Sequence, residues 1–467
     1  MNINIDFTKT TGKKIKPMHA INGGAVGDYD VSENSADIIR ELNIPYARNH
    51  DVAYPFGQGV FVDVHCIFRN FDADENDPDS YDFYYTDIYV KETIEAGAKI
   101  YYRLGESIDH GKKKNYVHPP KDFAKWARIC EHIIRHYNEG WADGFEFGIE
   151  YWEIWNEPEG VPASNYTPMW TGTKEQFFEF YKTAANHLKN CFGNSIKIGG
   201  YAAISISGLA KETEDEREYW PGNLRSGTLY YAEYIRDFLE YISSEENRAP
   251  LDFFAFHKYN NSITSLEEFK YSVTALRKTL DKYGFSDTEL VCDEWNHLTP
   301  GNLDKTKGIT SAVGVAAQMC EAQFLPVDMM MYYMLRGSSS YNGISTNMNG
   351  YVKKEKAYYA LKAFGKLYKM GNEIECGDGS DFIKILAARG KKECGMLIAN
   401  MGVAQNCVLN YKFGDEPLKT ISVYVTDKER DEKLVLKLSF KRSNSKALFV
   451  IPENSIVYIE FELFDEE

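Results

Sequence analysis

Between residues 18 and 368, short apolar strand patterns alternate with amphipathic helical patterns, and this rhythm restricts the fold more than any other feature of the chain. Strands are expected over Met18–Val26, Ile44–Asp51, Ala98–Glu106, Tyr151–Trp155, Ile196–Tyr201, Leu251–Tyr259, Glu289–Trp295 and Met329–Leu335. Helices are expected over Ser35–Leu42, Asp87–Ala96, Lys121–Tyr137, Glu175–Cys191, Leu229–Ile242, Leu266–Tyr283, Thr310–Phe324 and Glu355–Tyr368. The strands are near-continuous apolar runs, as in parallel sheets covered on both faces. About eight such units predict an α/β fold, the (β/α)8 TIM barrel. An open doubly wound sheet is the competitor, but no G-x-G-x-x-G turn follows the first strand.

After Gly371 the rhythm changes. Strand patterns over Phe382–Ala388, Gly395–Ala399, Cys407–Tyr411, Ile421–Val425, Lys433–Leu438, Ala447–Ile451 and Ser455–Leu463 follow one another with no helix between them, which predicts an all-β sandwich. The alternating segment Asn2–Thr8 is a candidate extra strand for it. The expected organisation is a barrel over residues 15–370 and a sandwich over 371–467, joined by an N-terminal strand within 1–14.

A formal net charge of -16 repels phosphate backbones and anionic membranes, which argues against both as partners. The triplet Lys112–Lys114 is expected to be a solvated loop, and no stretch is apolar and long enough to span a bilayer. The eight cysteines are scattered without C-x-x-C spacing and read as free buried thiols. With no signal-peptide pattern at the N-terminus, a reducing cytoplasm is the expected compartment. Asp72-x-Asp74-x-Asn76 lacks the glycine and final glutamate of a calcium loop and reads as a solvated turn.

The chemistry of a TIM barrel sits at the C-terminal ends of its strands. There the second strand offers Arg48, His50 and Asp51, the third Arg103 and Glu106, the sixth His257 and Tyr259, and the eighth Tyr333. The fourth strand runs Tyr151-Trp152-Glu153-Ile154-Trp155 and ends in Asn156-Glu157-Pro158. A buried strand that delivers an Asn-Glu pair and stops at a proline presents those side chains at a rim, so Glu157 is a candidate catalytic carboxylate. Asp293-Glu294-Trp295-Asn296 on the seventh strand repeats the pattern of a carboxylate beside Trp and Asn.

Trp155-Asn156-Glu157-Pro158 on strand four and Glu294-Trp295-Asn296 on strand seven resemble the clan A glycoside hydrolases, which are retaining (β/α)8 enzymes. With His257-x-Tyr259 on strand six and a terminal β-sandwich, the chain is similar to glycoside hydrolase family 39, the family of β-xylosidases and α-L-iduronidases. The resemblance implies Glu157 as general acid/base, Glu294 as nucleophile, Asn156 on the sugar 2-hydroxyl, and His257 and Tyr259 lining the sugar subsite. It implies a glycoside or oligosaccharide substrate cleaved at a terminal bond, β-xylosidase-like, with no cofactor and no metal, and is compatible with a homo-oligomer. Arg48, His50, Glu106 and Tyr333 are further candidate substrate-binding residues, and Asp293 competes with Glu294 for the nucleophile's role.

The strand-eight tryptophan usual in the family has no counterpart in Met329-Met330-Met331-Tyr332-Tyr333-Met334. Lys258 and Arg336 are the candidates for pairing with a uronic acid carboxylate. The acidic loop Asp72–Asp82 and the segment Ile204–Thr228, with Trp220, are candidates for reaching over the barrel mouth. Two other readings stand beside the glycosidase. If Asp63, His65, His50, His257 and Asp293 converge, they bind a divalent metal for a sugar-acid isomerase or lyase; a non-catalytic carbohydrate-binding barrel is the third.

Overall fold

The structure is a computed structural model that describes residues 1–25, 35–52, 61–108, 114–160, 169–211, 228–260, 265–297, 308–336, 343–348, 351–377, 379–439 and 444–464. Eight parallel strands close a barrel in chain order: Ala20–Asn22, Tyr46–Arg48, Lys99–Leu104, Tyr151–Ile154, Lys197–Ala203, Phe253–Asn260, Glu289–His297 and Met329–Tyr332. The eighth closes onto the first through Met331↔Ala20 and Tyr332↔Ile21. Helices Ala36–Leu42, Tyr84–Glu95, Phe123–Glu139, Lys174–Phe192, Thr228–Ser243, Ser265–Lys282, Ile309–Ala322 and Lys356–Met370 follow the strands in turn.

Local chemistry sets the helix ends. Asp122 accepts a hydrogen bond from Lys125 N, and Gly140 closes the same helix in the left-handed conformation. Thr173 and Gln176 form a reciprocal capping box that starts the next helix. The barrel lumen is filled by Ala20, Tyr101, Tyr151, Ala202, Phe253, Ala255, Val291, Met329 and Met331, so it is a packed core rather than a pore. Polar side chains are thereby displaced to the C-terminal rim.

The strands of the two chain ends form two sheets, as expected of a sandwich. Asn2–Asp6, Gln405–Lys412 and Asn444–Ile451 make the smaller one, in which Asn2–Asp6 runs parallel to Gln405–Lys412. The larger has the order Lys433–Ser439, Leu418–Thr426, Ser455–Leu463, Glu393–Asn400, Ile383–Arg389, Asn372–Ile374, Thr10–Lys14. Ile3, Ile5 and Phe7 share one buried cluster with Ile385, Met396, Leu409, Val423 and Phe461, which lie on both sheets.

Several local expectations change. The first fifteen residues supply two strands, one to each sheet. An antiparallel pair, Ser345–Met348 with Tyr351–Lys354, intervenes between the eighth barrel strand and its helix. All eight cysteines are free, but Cys191 is exposed and Cys66 and Cys376 are half-buried. Lys114 is buried rather than solvated, whereas Lys112, Lys113 and Trp220 lie outside the described residues. In the acidic loop, Asp74 Oδ1 accepts from Asn76 N at 2.9 Å, the local turn that its solvated reading anticipates. Among the described residues no helix is long and apolar enough to cross a membrane.

Candidate active site

The rim is built around Arg48, a fully buried cation at the end of the second barrel strand. Its Nη2 donates to Glu153 Oε1 at 2.6 Å and to Asn156 Oδ1 at 2.8 Å, and pairs with Asp293 Oδ2 at 2.9 Å. Its Nη1 reaches Asn22 Oδ1 at 3.2 Å and Glu294 Oε2 at 3.3 Å. One guanidinium thus ties together side chains from strands one, two, four and seven. A buried ion is tolerated only when charge and hydrogen bonds around it are satisfied, and here several acceptors share one fork.

Burial pushes Glu153 up to about 8; Arg48 pulls the other way, and neighbouring Asp293 adds to the rise. Asp293, although completely buried, is held below its ordinary value by Arg48 and then His257. The two carboxyl groups thus share the one positive charge of Arg48 with opposite tendencies, Glu153 towards its neutral form and Asp293 towards its ionised one.

The backbone turns sharply where strand four ends. Trp155 and Glu157 both have positive φ, 73° and 46°, a region uncommon for non-glycine residues. The turn is held by Trp155 N donating to Leu104 O at 2.7 Å and Glu157 N to Ala202 O at 3.1 Å. Gly105 has φ 144°, and a Cβ there would meet the Trp155 Cα at 3.1 Å, so the third strand's end admits only glycine against this bend. The result aims Glu157 into the rim, where its side chain remains 12% exposed.

His257 stands between the two glutamates. Its Nδ1 donates to Glu157 Oε1 at 2.7 Å, and its Nε2 lies 3.5 Å from Glu294 Oε2 and 3.6 Å from Asp293 Oδ2. Burial opposes a charge on this ring, yet the carboxylates of Glu294 and Asp293 outweigh it and hold its pKa well above the usual value. A carboxylate oxygen of Glu157, a ring nitrogen of His257 and a carboxylate oxygen of Glu294 all lie within 4.8 Å of one another. Tyr259 OH donates to Glu294 Oε1, and Tyr333, whose ring centroid is 6.5 Å from that of Tyr259, donates to Asp51 Oδ2 at 2.9 Å. His50 Nε2 is 3.9 Å from Glu294 Oε2.

Glu106 does not join this group. It pairs with His65 Nδ1, burial lifts it to about 7, and Tyr116 stacks on the His65 ring at 3.6 Å. Asp63 accepts from Arg103 Nη2 at 2.5 Å and from Ser107 N and Oγ at 2.9 and 2.8 Å. The five residues considered for a catalytic metal are therefore divided between two clusters. Asp63 is paired with Arg103, and His257 is engaged by Glu157 at Nδ1 and faces Glu294 and Asp293 at Nε2. Lys258 is engaged by Glu268 and by Ser207 Oγ at 3.1 Å, and Arg336 by Ser35 Oγ at 3.1 Å and Gly24 O at 3.2 Å.

Three participants escaped the sequence reading. Asn22 donates to Asp293 O at 2.8 Å, and Glu153 holds Arg48. The signal for Glu153 was a charged residue inside an apolar strand. Glu159, fully buried two residues beyond Glu157, accepts at Oε2 from Ile204 N at 3.4 Å beside Tyr201; burial, then the charge of Glu157, pushes it up to about 8. Its signal was a second acid in Asn-Glu-Pro-Glu.

The model of the glycosyl hydrolases family 39 matches residues 1–336. A β-xylosidase of Caldicellulosiruptor saccharolyticus is 24% identical over 433 residues, covering 86% of this chain and 79% of that protein. A solved glucosidase from Croceicoccus marinus superimposes with a TM-score of 0.76 at 20% identity, and a monomeric β-xylosidase from Caulobacter crescentus CB15 with 0.70 at 14%, each covering 99% of both chains. At such identities the structural likeness speaks to the fold.

Proposed function

Because the chain belongs to glycosyl hydrolases family 39 and is a glycosidase, we propose that it removes terminal β-linked xylose with retention of configuration, Glu157 acting as acid/base and Glu294 as nucleophile. The observation that carries this reading is the approach of the two carboxylates, whose nearest oxygens lie within 4.8 Å. A retaining enzyme holds its carboxyl groups about 5–5.5 Å apart, whereas an inverting one spaces them at about 6.5–9.5 Å to admit a water. The barrel over 15–370 is then the catalytic unit, and the sheets of 371–467 with 1–14 its companion.

The two glutamates need opposite protonation states. Glu294 is raised to about 7, first by burial, against the pull of His257, and then by the charge of Glu157. Once Glu157 takes the proton of the pair that last contribution disappears, while Arg48, His257 and the Tyr259 hydroxyl continue to favour an ionised Glu294. In the first step Glu294 attacks the anomeric carbon as Glu157 passes its proton to the departing oxygen. In the second, Glu157 takes a proton from water, the water oxygen bonds to the anomeric carbon, and Glu294 leaves.

Asn156 supports the same reading. Arg48 holds its Oδ1, so its buried Nδ2, which has no hydrogen-bond partner among the described residues, is the group available to the sugar 2-hydroxyl. That contact strengthens as charge develops on the ring. The engagement of Lys258 by Glu268 favours a neutral sugar over a uronic acid.

A panel of aryl β-xylo-, gluco-, galacto- and arabino-glycosides and uronides, with the first-formed anomer followed by NMR, tests both halves. β-Xylose as first product from the xyloside is expected. An α-anomer as first product would refute retention, and turnover confined to another glycoside would refute the sugar.

A further inference from the structure

On the outer surface of the barrel, on the two helices that flank the fourth strand, a further group of donor atoms faces inward on itself. His187 and Cys191 are four apart on the helix Lys174–Phe192 and so lie on one face of it. Glu131 faces them from the helix Phe123–Glu139, which precedes the strand carrying Glu157, whereas Lys174–Phe192 follows that strand. Glu131 Oε2 is 2.6 Å from His187 Nε2, which is 3.8 Å from Cys191 Sγ, and one donor atom from each residue lies within 4.8 Å of the others.

We propose that Glu131, His187 and Cys191 form a binding site for one zinc-like divalent cation that clips the two helices flanking the fourth barrel strand. The donor set is carboxylate, imidazole and thiolate, the combination that suits zinc and its softer analogue cadmium. Zinc ligands at about 2.0–2.3 Å in a tetrahedron stand about 3.3 Å (O to N) and about 3.6 Å (N to S) apart. The ring must therefore withdraw from Glu131 by about 0.7 Å, while the thiol is already near its place. In the metal-free arrangement, protons occupy the gap: His187 bonds Glu131, and the Cys191 thiol, raised by burial and then by Glu131, holds its hydrogen. Metal entry replaces them: the proton between Nε2 and Glu131 passes to Nδ1 or to solvent, freeing the Nε2 lone pair, and the thiol proton is released to solvent as the sulfur–metal bond forms.

Arg135 orients the carboxylate. Its Nε donates to Glu131 Oε1 at 2.8 Å, which leaves Oε2 as the oxygen directed at the ring. Glu139 pairs with the same guanidinium and offsets part of its charge. Cys191 is exposed, so the fourth position opens to water and a cation enters without unfolding the helices. The site takes no part in sugar chemistry and stands independently of the proposed reaction.

Chelator-stripped protein is titrated with cadmium and then zinc. One equivalent of thiolate-to-cadmium charge-transfer absorption is expected, displaced by zinc, together with zinc-dependent protection of Cys191 from alkylation. Cys191→Ser should abolish the band, and His187→Ala and Glu131→Gln should each weaken binding about tenfold or more. Cys66→Ser, which removes the thiol beside His65, should leave it intact. Absence of the band in the unaltered protein, its survival in Cys191→Ser, or its loss in Cys66→Ser overturns the proposal.

Discussion

His257 Nδ1 stands 2.7 Å from Glu157 Oε1, a contact between the ends of the sixth and fourth barrel strands. It fixes one oxygen of the carboxyl group, so the other is the one that can hold a transferable proton. The same ring nears Glu294 at 3.5 Å, which makes the two glutamates parts of one charge-coupled unit.

Removal of Glu157 should therefore separate substrates by leaving group. Glu157→Ala is expected to slow hydrolysis of alkyl xylosides by about 10²–10⁴, the usual scale of general acid catalysis, while activated aryl xylosides lose far less in the first step. Azide should restore turnover with a glycosyl azide as product. Unaltered hydrolysis of an unactivated xyloside would remove Glu157 from its role.

The nucleophile can be trapped. Asp293 is fully buried and pinned by Arg48 at 2.9 Å, so a 2-deoxy-2-fluoro-xyloside should label Glu294 alone, as read by peptide mass spectrometry. Glu294→Ala should show no label; a modified Asp293 would transfer the assignment.

Tyr259 donates to Glu294 and thereby lowers its pKa, against burial, which raises it to about 7. Tyr259→Phe removes that donor, so the pKa of Glu294 rises. Since the ionised form attacks, the acidic limb of kcat/KM should move to higher pH. A limb that stays in place or moves lower would show that another group governs it.

Glu159 predicts a stability effect. Burial sets its folded pKa at about 8 against an ordinary 4.5, so the folded state retains a proton that the unfolded state has shed between those values. Stability attributable to this carboxyl is complete below pH about 4.5 and is lost as pH rises towards 8, by roughly a few kcal/mol at most. Glu159→Gln should leave Tm unchanged near pH 4 and raise it increasingly from pH 5 to 8. A pH-independent difference would contradict this.

The barrel was legible because strands buried on both faces cannot avoid being apolar runs, and all eight fall where those runs lie. Ends shifted by a residue or more, as in Phe123–Glu139 for the expected Lys121–Tyr137, because capping by Asp122 and Gly140 decides them. Thr10–Lys14 was invisible for the opposite reason: every residue in it is exposed, and it is a strand only because Asn372–Ile374 lies beside it. At the rim, Glu157 and Glu294 announced themselves by their Trp and Asn neighbours. Arg48 as a hub did not, since its importance rests on Glu153, Asp293, Asn156 and Asn22 converging from three other strands. Glu106 shows the converse, a strand-end acid whose partner His65 belongs to an insertion.

The pairing of Asn2–Asp6 with Gln405–Lys412 also has a meaning for how the molecule is made. During synthesis Asn2–Asp6 must wait for some four hundred further residues before its neighbour Gln405–Lys412 exists. All eight barrel strands emerge in that interval and, pairing in order, can assemble as they appear. The two sheets cannot do so until the strands between Asn372 and Leu463 have been made, so they form after the barrel and leave Ile3, Ile5 and Phe7 without their shelter for that time.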